Sequence, residues 1–248
     1  MNNIAIIIPT RLDAKRLPNK PIKLINNKEM ILHVLDTALK AHVGDVYVAT
    51  PDQKIFDLIK KYGGNPVLTS NKHETGTDRI YEVFEKKLHL KPDLIINLQG
   101  DMPNLSSKVI KDIVGHMKKN LCDIGTLASS LKDKDEEKDE NIVKVLVSKN
   151  LQNNSFSHAL DFFRIIKNQP LDLIYHHIGI YAFTKEALLR YVSLKRSKKE
   201  LERKLEQLRA LENGMKIDVG YVSDSPLSVD TEKDLENIKK IMDKNVKN

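Results

Sequence analysis

IAIIIPTRLDAKRLPNKP, residues 4–21, is the stretch on which the reading of this chain turns. Ile4, Ala5, Ile6, Ile7 and Ile8 follow one another without a polar residue, which suits a strand covered on both faces of a parallel sheet. Pro9 ends the run, because proline has no N–H to give a sheet ladder. The loop beyond it carries Arg11, Lys15, Arg16 and Lys20, with Pro18 and Pro21 restricting its backbone. A polyphosphate over such a loop would meet backbone N–H groups and several cations together. A solvated basic turn has the same composition. Position separates the two readings, since open α/β sheets bind ligands at the carboxyl ends of their strands.

Working outward, residues 29–41 (EMILHVLDTALKA) place apolar side chains at helical spacing, and 45–50 (DVYVAT) read as the next strand. Residues 52–64 predict a helix closed by Gly63 and Gly64. A short strand at 65–70 leads to NKHETGTDRIYEVFEKK (71–87), in which Thr77 or Asp78 can cap a helix. DLIINL (93–98) is another buried strand, with Gln99, Gly100 and Asp101 just past its end. A carboxylate there can hold Mg²⁺ beside nucleotide phosphates, although an aspartate after a strand also serves as a plain turn residue. A surface helix at 107–120 and a strand at 122–131 follow. Residues 132–140 mix charges of both signs with no apolar residue and read as a solvated connector. A strand at 141–148, a strand–helix segment at 174–192, a continuous amphipathic helix from Glu200 to Gly214, a strand at 216–224 and a helix from 231 complete the chain, with 243–248 as a frayed tail. Strand and helix alternate as in a mostly parallel central sheet with helices on both faces, the α/β class.

The chain has 248 residues, 40% hydrophobic and 30% charged. That is enough for one domain with a full core. A single cysteine, Cys122, excludes an intrachain disulfide framework and is read as a packing residue of a cytoplasmic protein. The chain enters a strand at once, so no leader is expected, and no apolar run reaches the ~20 residues of a membrane helix. The net charge of +7 is spread among acidic residues, and tryptophan is absent. Neither feature favours a nucleic-acid surface.

PTRLDAKRLPNKP (9–21) resembles the PARxxSxRLPGKP signature of the 3-deoxy-manno-octulosonate (KDO) cytidylyltransferases, with Thr10, Ala14 and Asn19 as departures. Asn19 is a mild one, because asparagine tolerates the left-handed conformation that glycine supplies. Four further stretches follow in the family's order. His73 with Thr75, Gly76, Thr77, Asp78 and Arg79 is similar to its H…[S/T]GTDR; Gln99, Gly100, Asp101 and Pro103 to its QGDEP, with Met102 for the glutamate; His177, Gly179, Ile180 and Tyr181 to HxGIYxY; and Val229, Asp230, Thr231, Asp234, Leu235 and Glu236 to GVDTxxDLE, with Ser228 for the glycine. Glu206, Gln207, Leu208 and Arg209 repeat the family's LEQLR, preceded by Arg203 where a glutamate is usual. The match thins at 153–162, where His158 stands at the place of an arginine that grips the sugar acid. A neutral imidazole lacks that planar double donor, so the carboxylate would be held less firmly.

The resemblance implies a Rossmann-like nucleotide-diphospho-sugar transferase fold over residues 1–248, with about 150–215 serving sugar binding and dimerisation. It implies transfer of CMP from CTP to KDO, releasing pyrophosphate, for lipopolysaccharide biosynthesis. Under it Arg16, Lys20 and Asp101 are catalytic. Thr10, Arg11, Arg16, Lys20, Thr75, Gly76, Arg79 and Gln99 bind the nucleotide. His158, His177, Glu206 and Gln207 bind the sugar acid, and Asp101 and Asp230 hold Mg²⁺. It also implies a homodimer, for which the apolar segment Ile174 to Tyr191 is the expected interface, and neither a nucleic-acid partner nor membrane insertion. Two alternatives remain at this point: a cytidylyltransferase for another acidic sugar, and a nucleotide-binding relative without turnover.

Overall fold

The computed structural model describes residues 3–14, 16–120, 122–151, 155–223 and 226–246, with side chains as far as Asp243. Lys15, Asn153, Asn154 and the last two residues of the expected tail lie outside the described residues. The chain forms two compact units, residues 112–223 and residues 3–111 with 226–246.

In the unit that holds the N-terminal loop, the chain runs through β1 (Ile4–Pro9), β2 (Leu24–Ile25), β3 (Lys28–Glu29), α1 (Met30–Ala41), β4 (Asp45–Thr50), α2 (Gln53–Lys61), β5 (Pro66–Leu68), α3 (Gly76–Glu82), β6 (Leu94–Leu98) and the first part of α4 (Ser107–Lys119). All six residues of β1 are buried, as an uninterrupted apolar strand between two neighbours must be. Those neighbours, β4 and β6, are both parallel to it, with Ile6 in register with Val46 and Ile96. β5 adds a further parallel strand beyond β4. The turn into β4 passes so close to β1 that a Cβ on Gly44 would lie 2.1 Å from the Ile4 carbonyl oxygen. No side chain fits there.

The other unit contains β7 (Ile124–Ser129), α5 (Lys134–Lys138), β8 (Lys144–Val147), β9 (Phe156–Phe163), β10 (Ile174–Thr184), α6 (Lys185–Ser193), α7 (Lys198–Arg203), α8 (Gln207–Glu212) and β11 (Ile217–Tyr221). Its strands pair in the order β10-β7-β11-β9-β8, and β8 pairs β10 again, so the set closes on itself. Within this unit β7 and β11 run parallel, and the other described pairings are antiparallel. The parallel character expected of the whole chain therefore belongs to the first unit. α9 (Glu232–Val246) returns the chain to that unit and carries helix through residues expected to fray.

Three local expectations change. The charged stretch at 132–140 contains α5, because Asp133 accepts hydrogen bonds from the N–H groups of Asp135 and Glu136 and caps it. The continuous helix expected from Glu200 to Gly214 is two short helices, broken at Lys204, whose φ is +54°. In the segment proposed as an interface, Ile174, Tyr175, Ile178, Ile180, Tyr181, Phe183, Leu188 and Tyr191 are all buried within the single chain. Core packing, rather than a partner, accounts for their apolar character.

Candidate active site

The loop after β1 is held in shape from several sides. Thr10 is buried, and its N–H extends the ladder to the Ala49 carbonyl at 2.9 Å. The Leu12 N–H donates to Asp52 Oδ2 at 2.8 Å. Asp52 precedes α2 but makes no side-chain cap; its carboxylate serves the loop instead. Asn19 takes φ +59°, the left-handed geometry that its place in the sequence predicts, and Pro21 lies within the short 3-10 turn that follows. Leu17 is buried in a cluster with Ile25, Met30, Val229, Leu235 and Ile238, which ties the loop to the start of α9.

That packing brings two distant aspartates together. The Val229 N–H donates to the Asp101 carbonyl at 2.9 Å, which sets Asp230 beside Asp101. Thr231 and Asp234 cap α9 reciprocally: Asp234 N–H donates to Thr231 Oγ1 at 3.2 Å, and Thr231 N–H to Asp234 Oδ2 at 2.8 Å. The cap leaves the Asp230 side chain for the hollow. Lys20 Nζ donates to Asp101 Oδ2 at 2.9 Å and to Asp230 Oδ1 at 3.1 Å, while Arg16 reaches the other Asp230 oxygen at 2.9 Å. Burial opposes the charge on Lys20, but the two carboxylates outweigh it and raise its pKa. One cation thus already bridges both aspartates. Two carboxylates placed to share a cation form an oxygen donor set that suits Mg²⁺.

These residues line a hollow of about 400 Å³, together with Thr10, Arg11, Ala14, Thr75, Gly76, Arg79 and Gln99. Thr75, rather than Thr77 or Asp78, caps α3, its oxygen accepting the Asp78 N–H at 3.1 Å. A Cβ on Gly76 would come within 3.4 Å of the Gln99 amide and of Pro9, so a side chain there would crowd the wall of the hollow. Gln99 donates to Asn97 Oδ1 at 2.9 Å, and Asn97 in turn to Thr77 Oγ1 at 3.3 Å, which fixes the amide's orientation. Arg79 is buried and donates to Thr69 Oγ1 at 2.6 Å and to the Ser70 carbonyl at 3.0 Å. Its pKa is lowered by burial and then by Arg11, so two guanidiniums act on the same region. Glu82 braces this wall. Burial works against its charge, but bonds from His73, the Ser70 N–H and Lys86 bring its carboxyl down to about 2.

The four residues assigned to the sugar acid lie in the other unit. His177 is buried, with Nε2 2.9 Å from Thr126 Oγ1. The Thr126 hydroxyl has one proton, which the Ile180 carbonyl takes at 2.8 Å, so its oxygen accepts from His177 Nε2–H and leaves Nδ1 as the acceptor. Burial, and then His176, lowers the His177 pKa to about 3. Its ring packs against Phe162 and Tyr181. The Tyr181 hydroxyl is raised well above its ordinary pKa by burial, then by Glu206. His177 and Glu206 therefore both bear on Tyr181. Gln207 is buried at the start of α8 rather than exposed on a wet helix face.

His158 is placed elsewhere. It stands opposite Asp218 across the β9–β11 pair, its Nδ1 2.6 Å from Asp218 Oδ1, and Asp218 Oδ2 is 2.7 Å from His116 Nε2. A carboxylate already faces this imidazole. Arg203, the departure before LEQLR, donates to both Asp161 oxygens at 2.9 Å and to the Phe162 carbonyl at 2.8 Å. Arg164 donates to the Glu140 and Asn141 carbonyls. The sequence reading missed Glu200, which is fully buried and joined to Arg209. Ser197-Lys-Lys-Glu200 is a capping-box pattern, and it was the signal available for a fresh helix start at this point.

A basic loop and two cation-sharing carboxylates at the carboxyl end of parallel strands define a nucleotidyltransferase: cations for a polyphosphate, oxygens for a hard metal ion. The profile of the family described as cytidylyltransferase matches residues 5–217. The 3-deoxy-manno-octulosonate cytidylyltransferase of Bartonella quintana is 42% identical over 96% of this chain and 97% of its own. That of Rhizobium etli is 39% identical over 98% and 96%. A solved CMP:2-keto-3-deoxy-manno-octonic acid synthetase complexed with CTP superposes with a TM-score of 0.88 at 32% identity, covering 98% of this chain and 99% of that one. A 4-diphosphocytidyl-2C-methyl-D-erythritol synthase from Anaerococcus prevotii shares the fold at a TM-score of 0.66 and 17% identity. The chain belongs to the cytidylyltransferase family, among the 3-deoxy-manno-octulosonate cytidylyltransferases, and has the nucleotide-diphospho-sugar transferase fold expected from its motifs.

Proposed function

We propose that this protein transfers the cytidylyl group of CTP to KDO, giving CMP-KDO and pyrophosphate, as a step toward lipopolysaccharide. The observation that carries the reading is that Arg16 and Lys20 of the loop after β1 meet Asp101 and Asp230, in a chain whose curated relatives bear that activity in their names. The anomeric hydroxyl of KDO attacks the α-phosphorus in line; the P–O bond to the β-phosphate breaks, the hydroxyl proton leaves to solvent, and pyrophosphate departs. Nucleotidyl transfer of this kind rests on positioning and on neutralising charge.

Arg11, with Arg79 behind it, attracts the triphosphate, and Arg16 and Lys20 turn from the aspartates to its phosphate oxygens. Thr75, Gly76 and the backbone at Thr10 and Arg11 receive the cytosine, and Gln99 contacts a sugar hydroxyl. Asp101 and Asp230 would hold Mg²⁺, which would supply polarisation of the α-phosphate and favour ionisation of the attacking hydroxyl. His177, kept neutral by burial, orients the sugar acid together with Glu206 and Gln207. His158 is not assigned to the sugar, because Asp218 beside it would repel a second carboxylate.

We assign the protein to the cytoplasm, where its substrates are made, and propose that it works as a homodimer. Among the described residues no helix is long and apolar enough to cross a membrane. Leu160, Ile165, Leu171 and Leu201 are exposed within the unit expected to dimerise and supply the apolar surface for a second copy.

The deciding experiment is pyrophosphate release with Mg²⁺, CTP, ATP or GTP, and a panel of acidic sugars. Turnover confined to CTP with KDO is the expected result. Preference for another sugar acid, equal use of purine nucleotides, or nucleotide binding without pyrophosphate would overturn it.

A further inference from the structure

Outside the nucleotide hollow, the residues 112–223 contain a second meeting of metal-ligating side chains. His116 lies in the last turn of α4, Cys122 just beyond that helix, and Asp218 in β11. One ligand atom from each lies within 4.8 Å of the other two. Cys122 and Asp218 are buried, and the His116 side chain is only 10% exposed. His158, opposite Asp218 in β9, holds the carboxylate through its other oxygen.

We infer that His116 Nε2, Cys122 Sγ and Asp218 form a binding site for a transition-metal ion of the zinc type, distinct from the Asp101–Asp230 site. The donor set argues the kind of metal. Imidazole nitrogen and thiolate sulfur select zinc and its neighbours, whereas a hard ion such as Mg²⁺ takes oxygen throughout. The geometry is within reach. A tetrahedral zinc with its donors at their usual distances keeps them roughly 3.3–3.8 Å apart. His116 Nε2 and Asp218 Oδ2 are now 2.7 Å apart, so the two groups must separate by roughly half an ångström on that scale.

In the ion-free protein the Cys122 S–H points to Met117 Sδ at 3.3 Å. Asn120 Nδ2 donates to the His116 carbonyl at 3.0 Å and faces Nδ1 at the same distance, so the ring now carries its proton on Nε2, toward Asp218 Oδ2, and Asn120 must swing aside as the ion takes Nε2. Phe156 stacks on the same ring, with centroids 3.6 Å apart and planes 7° from parallel. Binding forms the Zn–S bond as the Cys122 S–H proton passes to solvent, and the His116 proton moves from Nε2 to Nδ1 through water. The ion then fastens the end of α4 to β11.

The test adds Co²⁺ alone to the full chain in excess Mg²⁺, which keeps the all-oxygen site occupied. Expected are the visible bands of four-coordinate cobalt and a near-ultraviolet sulfur-to-cobalt charge-transfer band, both removed by added Zn²⁺. Cys122→Ser should abolish the sulfur band, and His116→Ala should weaken cobalt affinity by at least ~10-fold. Absence of a sulfur band in the unmodified, folded protein would overturn the inference, as would a band that survives Cys122→Ser. The unmodified protein answers the first point by itself, and cobalt spectra are independent of turnover, so the proposal stands or falls apart from the cytidylyl-transfer reading.

Discussion

Arg209 forks onto Glu200, Nε to Oε2 at 2.9 Å and Nη2 to Oε1 at 2.7 Å, and both side chains are buried. In one continuous helix residues nine apart lie ~13.5 Å apart along the axis. The break at Lys204 is what lets them meet. Arg196 adds a third bond to Glu200, and the Arg209 guanidinium lies 4.6 Å over the Tyr191 ring, whose hydroxyl donates to the Glu206 carbonyl. The pair therefore sets the turn from which Glu206 and Gln207 emerge.

Removing Arg209 leaves the buried Glu200 carboxylate with the more exposed Arg196 as its cation. Arg209→Met is expected to cost ~1.5–3 kcal/mol, and Glu200→Leu combined with Arg209→Met should recover part of that loss, less the α7 capping box that Glu200 supplies. Urea unfolding of the single and double variants checks it; a single variant as stable as the parent would show that the pair has no such role.

Asp230→Asn keeps the α9 cap, which Thr231 and Asp234 supply, and removes one of the two charges facing Lys20. We expect kcat to fall at least ~100-fold, about 2.7 kcal/mol of transition-state stabilisation, with an unchanged unfolding midpoint. Full activity in this variant would refute the metal assignment.

His177 gives a pH prediction. Its folded pKa of about 3 lies below the ordinary histidine value of about 6.5. As pH falls below the unfolded value, the unfolded chain takes up a proton that the folded protein refuses. The stability linked to this group is complete above pH ~6.5 and is lost as pH falls toward about 3. His177→Gln, which keeps a nitrogen donor for Thr126, should flatten that acid slope in denaturant midpoints. Parallel slopes for both proteins would exclude the buried neutral imidazole.

His158→Arg separates the two readings of that position. If the position held the sugar carboxylate, an arginine would lower KM by about 10-fold or more, most at high pH. Placed opposite Asp218, the new guanidinium should instead pair with that aspartate. We expect KM for the sugar acid to stay within ~2-fold, well under the tenfold that 1.4 kcal/mol represents.

How much of this was legible depended on how local the cause was. β1 announces itself because five consecutive apolar residues leave no exposed face, and Asn19 because few residues accept its backbone geometry. The five motifs, far apart in sequence, supply most of the lining of one hollow, and there Asp101 and Asp230 share Lys20. The helix break at Lys204 was not legible from apolar spacing, since periodicity counts positions and does not see one residue turning left-handed. Nor was the setting of His158. Its partner Asp218, shared with His116, comes from a distant strand, and a single sequence does not say which strands pair. The second unit's antiparallel strands were hidden for the same reason, and the buried apolar side chains of Ile174 to Tyr191 look the same in sequence whether a core or a partner covers them.

Lys20 has one more consequence. An amine reacts with acylating reagents only as the free base, and an ammonium clasped by Asp101 and Asp230 rarely visits that form. In a mixture of labelled peptides Lys20 should thus be among the last lysines to acquire the tag. A divalent ion held by both carboxylates, as proposed above, would strip that shield from the side chain, and its labelling rate would then gauge how full the site is.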